Sequence, residues 1–151
     1  MHRLYENNEI VIFWNSDKCF HAGKCFQGSP KTFDPSRKPW IQLGRADNPQ
    51  IWQTVEQCPS GALKVQSKLG VEVVMKLENL RSAAYDGGKL VGECDYRESG
   101  SEWCIYHTEV DPSYGGRGIA KRMVYSILEV AEIRKITVSA TCSYACKILE
   151  E

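Results

Sequence analysis

The apolar positions along this chain fall into two different rhythms. The run NEIVIFWN (8–15) is nearly continuous in Ile, Val and aromatic residues, and predicts a β-strand. A loop follows through GSPKTFDPSRKP. WIQL (40–43) predicts a second short strand. In DNPQIWQTVEQC (47–58), Ile51, Trp52 and Val55 share one helical face, Asp47 or Asn48 can cap the start, and Pro49 suits the first turn. GALKVQS then returns as a strand. After QSKLG (66–70) the rhythm changes. VEVVMKLENLRSAAYDGGKLVGECDYRESGSEWCIYHTEV predicts strand, turn, strand, turn, strand, with YDGGKL and RESGSE as hairpin turns. IAKRMVYSILEVAEIR (119–134) carries an apolar stripe of Ile119, Met123, Ile127, Val130 and Ala131, flanked by Lys121, Arg122, Glu129 and Glu132. KITVSATC predicts a buried strand, and SYACKILEE a short closing helix.

The expected architecture is therefore α+β in two domains, residues 1–66 and 70–151. The first is small enough that its core is marginal without a staple. Charge adds only exclusions. Residues 1–66 carry 8 basic and 6 acidic side chains, residues 67–151 carry 11 and 13, and the net charge is zero. Neither half has the basic face that nucleic acid binding requires. No apolar run reaches the ~18 residues of a spanning helix, and MHRLYENNEIVIF lacks the pattern of a secretory signal. The expectation is a cytoplasmic protein with neither nucleic acid nor membrane as partner.

In that compartment the seven cysteines are expected as free thiols, metal ligands or catalytic groups rather than disulfides. Cys19, Cys25 and Cys58 lie beside Gly and Pro, with His21 between the first two. A Gly-bearing loop can curl around an iron–sulfur cluster and offer N–H groups to its sulfurs. A Cys followed by Pro, as at Cys58-Pro59, closes many ferredoxin sites, and a ferredoxin run places Cys at i, i+3 and i+6. Here Cys19 and Cys25 hold the outer positions and Ala22 stands at the middle one. Zinc in a Cys₃His site and inert structural cysteines are the competing readings of the same residues.

CFHAGKCFQGSPKTFD, PWI and CPSGAL together resemble a divergent family of single-cluster iron–sulfur proteins, over residues 4 to 66. The resemblance implies a cubane-type cluster on Cys19, Cys25 and Cys58. Three alternatives follow for the missing cysteine: a three-iron cluster (3Fe-4S), a four-iron cluster (4Fe-4S) with His21 or an exogenous ligand, or a two-iron cluster with mixed ligation.

In HTEVDPSYGGRGIAKRMV a strand leads through a glycine-rich loop into a helix. That layout aims several backbone N–H groups at one point, at the positive end of the helix dipole, and suits a phosphate. No Gly-Lys-Ser/Thr follows, so it is not a P-loop. Residues 70 to 149 resemble the GNAT family of acyl-CoA-dependent N-acetyltransferases, most closely a very small subgroup with HTEV, the glycine loop and a cysteine after the next strand. GGRGIA (115–120) matches the family's pyrophosphate loop at Gly118 and Ala120, and departs where Gly115 replaces Arg or Gln.

The resemblance implies a minimal GNAT-like domain with a mostly antiparallel sheet and two helices. Acetyl-CoA is the implied small-molecule acyl donor. Gly115, Gly116, Arg117, Gly118, Ile119 and Ala120 would hold its pyrophosphate, Val110 would pair with the pantetheine arm, and Cys142 would sit near the acetyl thioester. Acetyl transfer to an amine runs either directly, with His107 or Glu109 as base and Tyr144 as acid, or through acetyl-Cys142. Cys94, Cys104 and Cys146 are expected to be structural. The fused cluster would stabilise the fold, sense redox state or dock a redox partner protein. The alternative expectation is a non-catalytic iron–sulfur protein with a CoA-binding or degenerate second half.

Overall fold

The structure is a computed structural model that describes residues 1–150. It divides into two compact units, Met1–Lys68 and Leu69–Glu151. The first holds a three-stranded antiparallel sheet in the order β1 (His2–Glu6), β2 (Ile10–Asn15), β3 (Leu63–Ser67). The central strand β2 is the apolar run of the sequence, and Ile10 through Phe13 are all buried. Between β2 and β3 the chain forms a short helix α1 (Lys24–Gly28) and a longer one, α2 (Asn48–Glu56). The Asp47 carboxylate accepts from Gln50 N–H at 2.9 Å and starts α2.

The core of this unit is Ile10, Ile12, Phe33, Ile41, Ile51, Val55 and Leu63, with Trp14, Trp40, Cys25 and Cys58 packed against it. WIQL does not form the expected strand. Phe33 and Ile41 make one isolated bridge, and Gln42 N–H donates to Thr32 O. Ile41 is apolar because it enters the core, not because it sits in a ladder.

The second unit is a five-stranded sheet in chain order: β4 (Val71–Lys76), β5 (Arg81–Asp86), β6 (Lys89–Ser99), β7 (Glu102–Val110) and β8 (Thr137–Ala140). The first four pair antiparallel, and β8 pairs parallel to β7. The meander has four strands where the sequence predicted three, because a 3-10 turn at Leu77–Asn79 breaks the first apolar stretch in two. The helix α3 (Ile119–Ile133) crosses between β7 and β8 and packs on the sheet; α4 (Ser143–Glu150) closes the chain.

α3 is buried more widely than its stripe predicts. Lys121 and Arg122, expected on the flank, are buried, and Arg122 donates to the carbonyl of Val71 at 2.8 Å. The strand β8 corrects the sequence in the other direction, since its residues are exposed or half-buried. Gly92 lets β6 approach α3 closely: a Cβ there would meet Met123 Cε at 3.1 Å.

Trp103 on β7 is 1% exposed and stacks on Tyr96 with ring centroids 4.5 Å apart. Trp103→Ala is expected to cost about 3–5 kcal/mol, read as a lower midpoint in denaturant melts. Among the described residues no helix is long and apolar enough to cross a membrane.

Candidate functional site

Cys19, Cys25 and Cys58 come from three separate elements of the first unit and line one small pocket, together with Trp14, Ala22, Gly23, Pro59 and Ser60. Cys19 follows a 3-10 turn at Ser16–Lys18. The loop then curls through two left-handed residues, His21 (φ 60°) and Gly23 (φ 78°). Gly23 is needed twice over, since a Cβ there would lie 2.9 Å from the Phe26 ring. Cys25 is the second residue of α1, and Cys58 leaves the end of α2 with its N–H on Val55 O.

Backbone donors converge on all three sulfurs. His21 N–H donates to Cys19 Sγ at 3.4 Å. Burial pushes the Cys58 thiol up, yet the Ser60 hydroxyl and the N–H groups of Leu63, Ser60 and Ala62 outweigh it and hold its pKa below the ordinary thiol value. Burial dominates at Cys25 and raises its pKa. The N–H groups of Phe26 and Cys25 oppose that shift, and negative charge on Cys58 or Cys19 adds to it. Such mutual repulsion between neighbouring thiolates is relieved by a polycation between them.

The donor set therefore fits a group held by three thiolates. Ala22 lines the same pocket but offers no donor atom. The exposed His21 lines a wider neighbouring pocket together with Cys19, Cys25, Trp14 and Trp40, and its backbone N–H donates to Cys19 Sγ.

In the second unit the chemistry gathers where β7 and β8 part. Their pairing runs from Glu102↔Thr137 to Ile105↔Ala140 and stops there. Thr141 and Cys142 both direct their N–H groups at Ile105 O, at 2.9 and 3.5 Å. A bulge between Asp95 and Tyr96 shifts the register of β6 on β7 at the same level. Cys142 immediately precedes α4, and its half-exposed Sγ accepts from Ala145 N–H at 3.3 Å and lies 3.3 Å from Thr108 Oγ1.

His107, next in sequence to Thr108, points to the other face of the sheet. There its Nε2 lies 3.3 Å from Glu93 Oε1 and 3.5 Å from Glu109 Oε2. The structure thus joins His107 to Glu109 but separates both from Cys142. Glu93, Asp95 and His107 crowd within 4.8 Å of one another. Arg81 neutralises the carboxylates there, with Nε 2.6 Å from Asp95 and Nη2 3.0 Å from Glu93, so the cluster is a salt-bridge network.

The glycine loop follows β7 directly. Val110 ends the strand opposite Gly92, and Asp111 caps a 3-10 turn at Pro112–Tyr114. Tyr114 OH donates to Asp86, and Arg117 stacks on the Tyr114 ring at 4.9 Å. Gly115 has φ −63° and is ordinary backbone; Gly116 (φ 76°) and Gly118 (φ 70°) are left-handed. Gly118 is the N-cap of α3 and supplies no side-chain cap. The first N–H groups of the helix, from Ile119 and Ala120 onward, have no acceptor within it and point back toward the loop. Tyr144 is exposed on α4.

Residues 5–68 match the family model of the divergent 4Fe-4S mono-cluster domain, and residues 81–151 match that of the GCN5-related N-acetyl-transferase. In its first unit the chain belongs to the divergent 4Fe-4S mono-cluster family, and its second unit is similar to the GCN5-related N-acetyl-transferases. The uncharacterized protein YjdI of Escherichia coli K12 is 37% identical over 67 residues, which are 44% of this chain and 88% of YjdI. Among the solved structures that resemble part of the chain are two GCN5-type proteins. One, a GCN5-related N-acetyltransferase from Sphaerobacter thermophilus, is 26% identical with a TM-score of 0.39; the match covers 41% of this chain and 21% of that one. The other, a GCN5-like protein from Staphylococcus aureus, is also 26% identical, with a TM-score of 0.44, and the match covers 54% of this chain and 79% of that one. The chain thus spans about a fifth of the Sphaerobacter enzyme's length.

Thr108 escaped the sequence reading. In HTEV it alternates with His107 and Glu109, so period-two alternation alone puts it on the opposite face. Nothing in the sequence says that this face meets Cys142.

Proposed function

We propose that the second unit is an acetyltransferase that takes the acetyl group of acetyl-CoA onto Cys142 and passes it to an amine. The observation that carries this reading is the placement of the Cys142 sulfur. It stands where β7 and β8 diverge, with Ala145 N–H and Thr108 Oγ1 both 3.3 Å away. The two contacts hold the sulfur in place, and a cysteine held there can act as the nucleophile toward a thioester.

The glycine loop lies at the end of the same strand, so its N–H groups and the α3 dipole can hold the pyrophosphate of the donor. Val110 then offers its free backbone edge to the pantetheine arm. Beyond it, a pocket is lined by Val91, Pro112, Glu109, Asp111 and Glu93, the last already paired with Arg81, and the remaining carboxylates suit a protonated amine as acceptor. His107, bonded to Glu93 and Glu109, lies on the face opposite Cys142, so it can serve as base for direct transfer to an amine but not for an amine attacking acetyl-Cys142.

In the first unit Cys19, Cys25 and Cys58 hold the iron–sulfur cluster, and the corner at Ala22 has no protein thiolate. When bound, the cluster supplies a one-electron redox centre and a covalent staple for a small core.

The acetyl step is tested without knowing the acceptor. Protein incubated with acetyl-CoA and digested is expected to carry an acetyl group on the Cys142 peptide by mass spectrometry, and Cys142→Ala is expected to carry none. An acetyl-CoA hydrolysis or transfer rate unchanged in Cys142→Ala retires the covalent route in favour of direct transfer.

A further inference from the structure

Three side chains on the α3 side of the sheet form an unbroken chain of contacts. Cys94 Sγ lies 3.5 Å from Thr108 Oγ1, and Thr108 Oγ1 lies 3.3 Å from Cys142 Sγ. Cys94 and Thr108 are direct partners across β6 and β7, so the register itself sets the first contact. The second arises because β8 delivers Cys142 to the point where its strand leaves β7. We propose that Thr108 is a positioning residue held in one orientation, accepting the Cys94 S–H and donating its own O–H to the Cys142 sulfur. This rests on Cys142 being the acetyl acceptor.

The direction follows from counting protons. A threonine hydroxyl has one hydrogen and two lone pairs, and a thiol has one hydrogen. Cys94 is fully buried. Burial is the main cause that pushes its pKa up to about 12, and the charges of Cys142 and Asp95 add to it; Thr108 lowers it only when it donates to Cys94, which it does not do while its hydrogen is on Cys142. Cys94 keeps its proton, and a Cys142 thiolate can only accept, so the Thr108 hydrogen goes to Cys142 and Thr108 Oγ1 is left to accept the Cys94 S–H. That contact occupies a lone pair of Thr108 and leaves its hydrogen for Cys142. Once Cys142 is a thiolate no other arrangement satisfies all three groups. The sulfur then accepts two hydrogen bonds, from Thr108 O–H and Ala145 N–H.

A mechanistic consequence is that Thr108 cannot be the base that deprotonates Cys142, because it is already donating to it. The thiol proton leaves to solvent, which reaches the half-exposed Cys142. The Cys142 thiolate then attacks the thioester carbonyl. The new bond joins Cys142 Sγ to the acetyl carbon, the bond from that carbon to the CoA sulfur breaks, and CoA leaves as a thiolate. A thioester sulfur is a poor acceptor, so acetylation frees the Thr108 hydrogen and removes the negative charge that oriented it.

The test reads Cys142 itself rather than turnover. Full-length protein is treated with iodoacetamide at pH 7, and the alkylation rate of the Cys142 peptide is followed by mass spectrometry. Thr108→Val is expected to slow it about tenfold, since a hydrogen bond to a charged group is lost, and Thr108→Ser to restore it to near the starting rate. A purely structural Thr108 predicts the opposite sign, because loosened packing exposes the thiol and speeds alkylation. An unchanged or faster rate in Thr108→Val therefore overturns the assignment. If Thr108→Val does not fold, Thr108→Ala carries the same comparison. The acetyl adduct is scored separately. Slowed alkylation without an acetyl adduct leaves the hydrogen-bond assignment standing and removes the nucleophile; an adduct with unslowed alkylation does the reverse.

Discussion

Cys58→Ser is expected to strip the chain of most of its iron and to leave the first unit largely unfolded. Its sulfur collects the Ser60 hydroxyl and three backbone N–H groups, so the loop around it is built to hold a negative sulfur. A serine oxygen is a poorer ligand for iron and does not fill that cradle. The stability effect follows from size. A core in a unit this small rarely supplies more than about 3–5 kcal/mol by itself, and two of the three thiols, Cys25 and Cys58, pack against it. Metal binding and folding are then one equilibrium.

The measurement is iron and sulfide content after anaerobic reconstitution, with visible absorption and a thermal melt of the same samples. Cys104→Ser, in the second unit, serves as the control and is expected to keep its iron. His21→Ala is the discriminating variant. His21 serves Cys19 through its N–H, which alanine retains, so iron content is expected to hold. A fall matching that of Cys58→Ser would make the imidazole a ligand after all.

The second large effect is at the glycine loop. Acetyl-CoA is expected to raise the melting temperature of the unaltered protein, and Gly118→Val is expected to abolish that rise. At a ligand concentration of 100 Kd that rise corresponds to about 2.7 kcal/mol. Position 118 has φ 70° and caps α3, so valine brings about 1–2 kcal/mol of backbone strain at the helix start proposed to meet the donor's phosphates. Gly116→Ala separates strain from obstruction. It is also left-handed, but a Cβ there meets nothing within 4 Å. It is expected to lower the melt of the free protein while keeping most of the acetyl-CoA shift. Equal loss in both variants would mean that loop conformation, not space, governs binding.

How much of this was legible in the sequence depends on whether a residue's role is local. The helix 119–134, the Asp47 cap, the Cys-Pro after α2 and the left-handed glycines are local facts of spacing and residue type, and they sit where the sequence placed them. β1 was missed because HRLYE has no strong alternation; it is a strand only because it pairs with β2 from His2↔Asn15 to Glu6↔Val11. Lys121 and Arg122 look like a polar flank, yet Arg122 is buried because Val71 O, fifty-one residues away, accepts from it. The same holds at the sites. Cys142 and His107 were both legible as candidate reactive groups. That they occupy opposite faces was not, because the phase of β7 is set by its partners on β6, through a bulge the sequence does not announce.

The strand β7 is zipped along only half its length on one side, where Glu102–Ile105 pair with β8 and Tyr106–Val110 do not. That asymmetry gives one strand two clocks for amide hydrogen exchange. Amides between 102 and 105 open only when the sheet does. Those between 106 and 110 that point away from β6 trade their hydrogens with water freely, until something extended lies along them. Deuterium uptake in that short segment is thus a ruler for occupancy of the cleft, one that needs neither a chromogenic substrate nor a known acceptor.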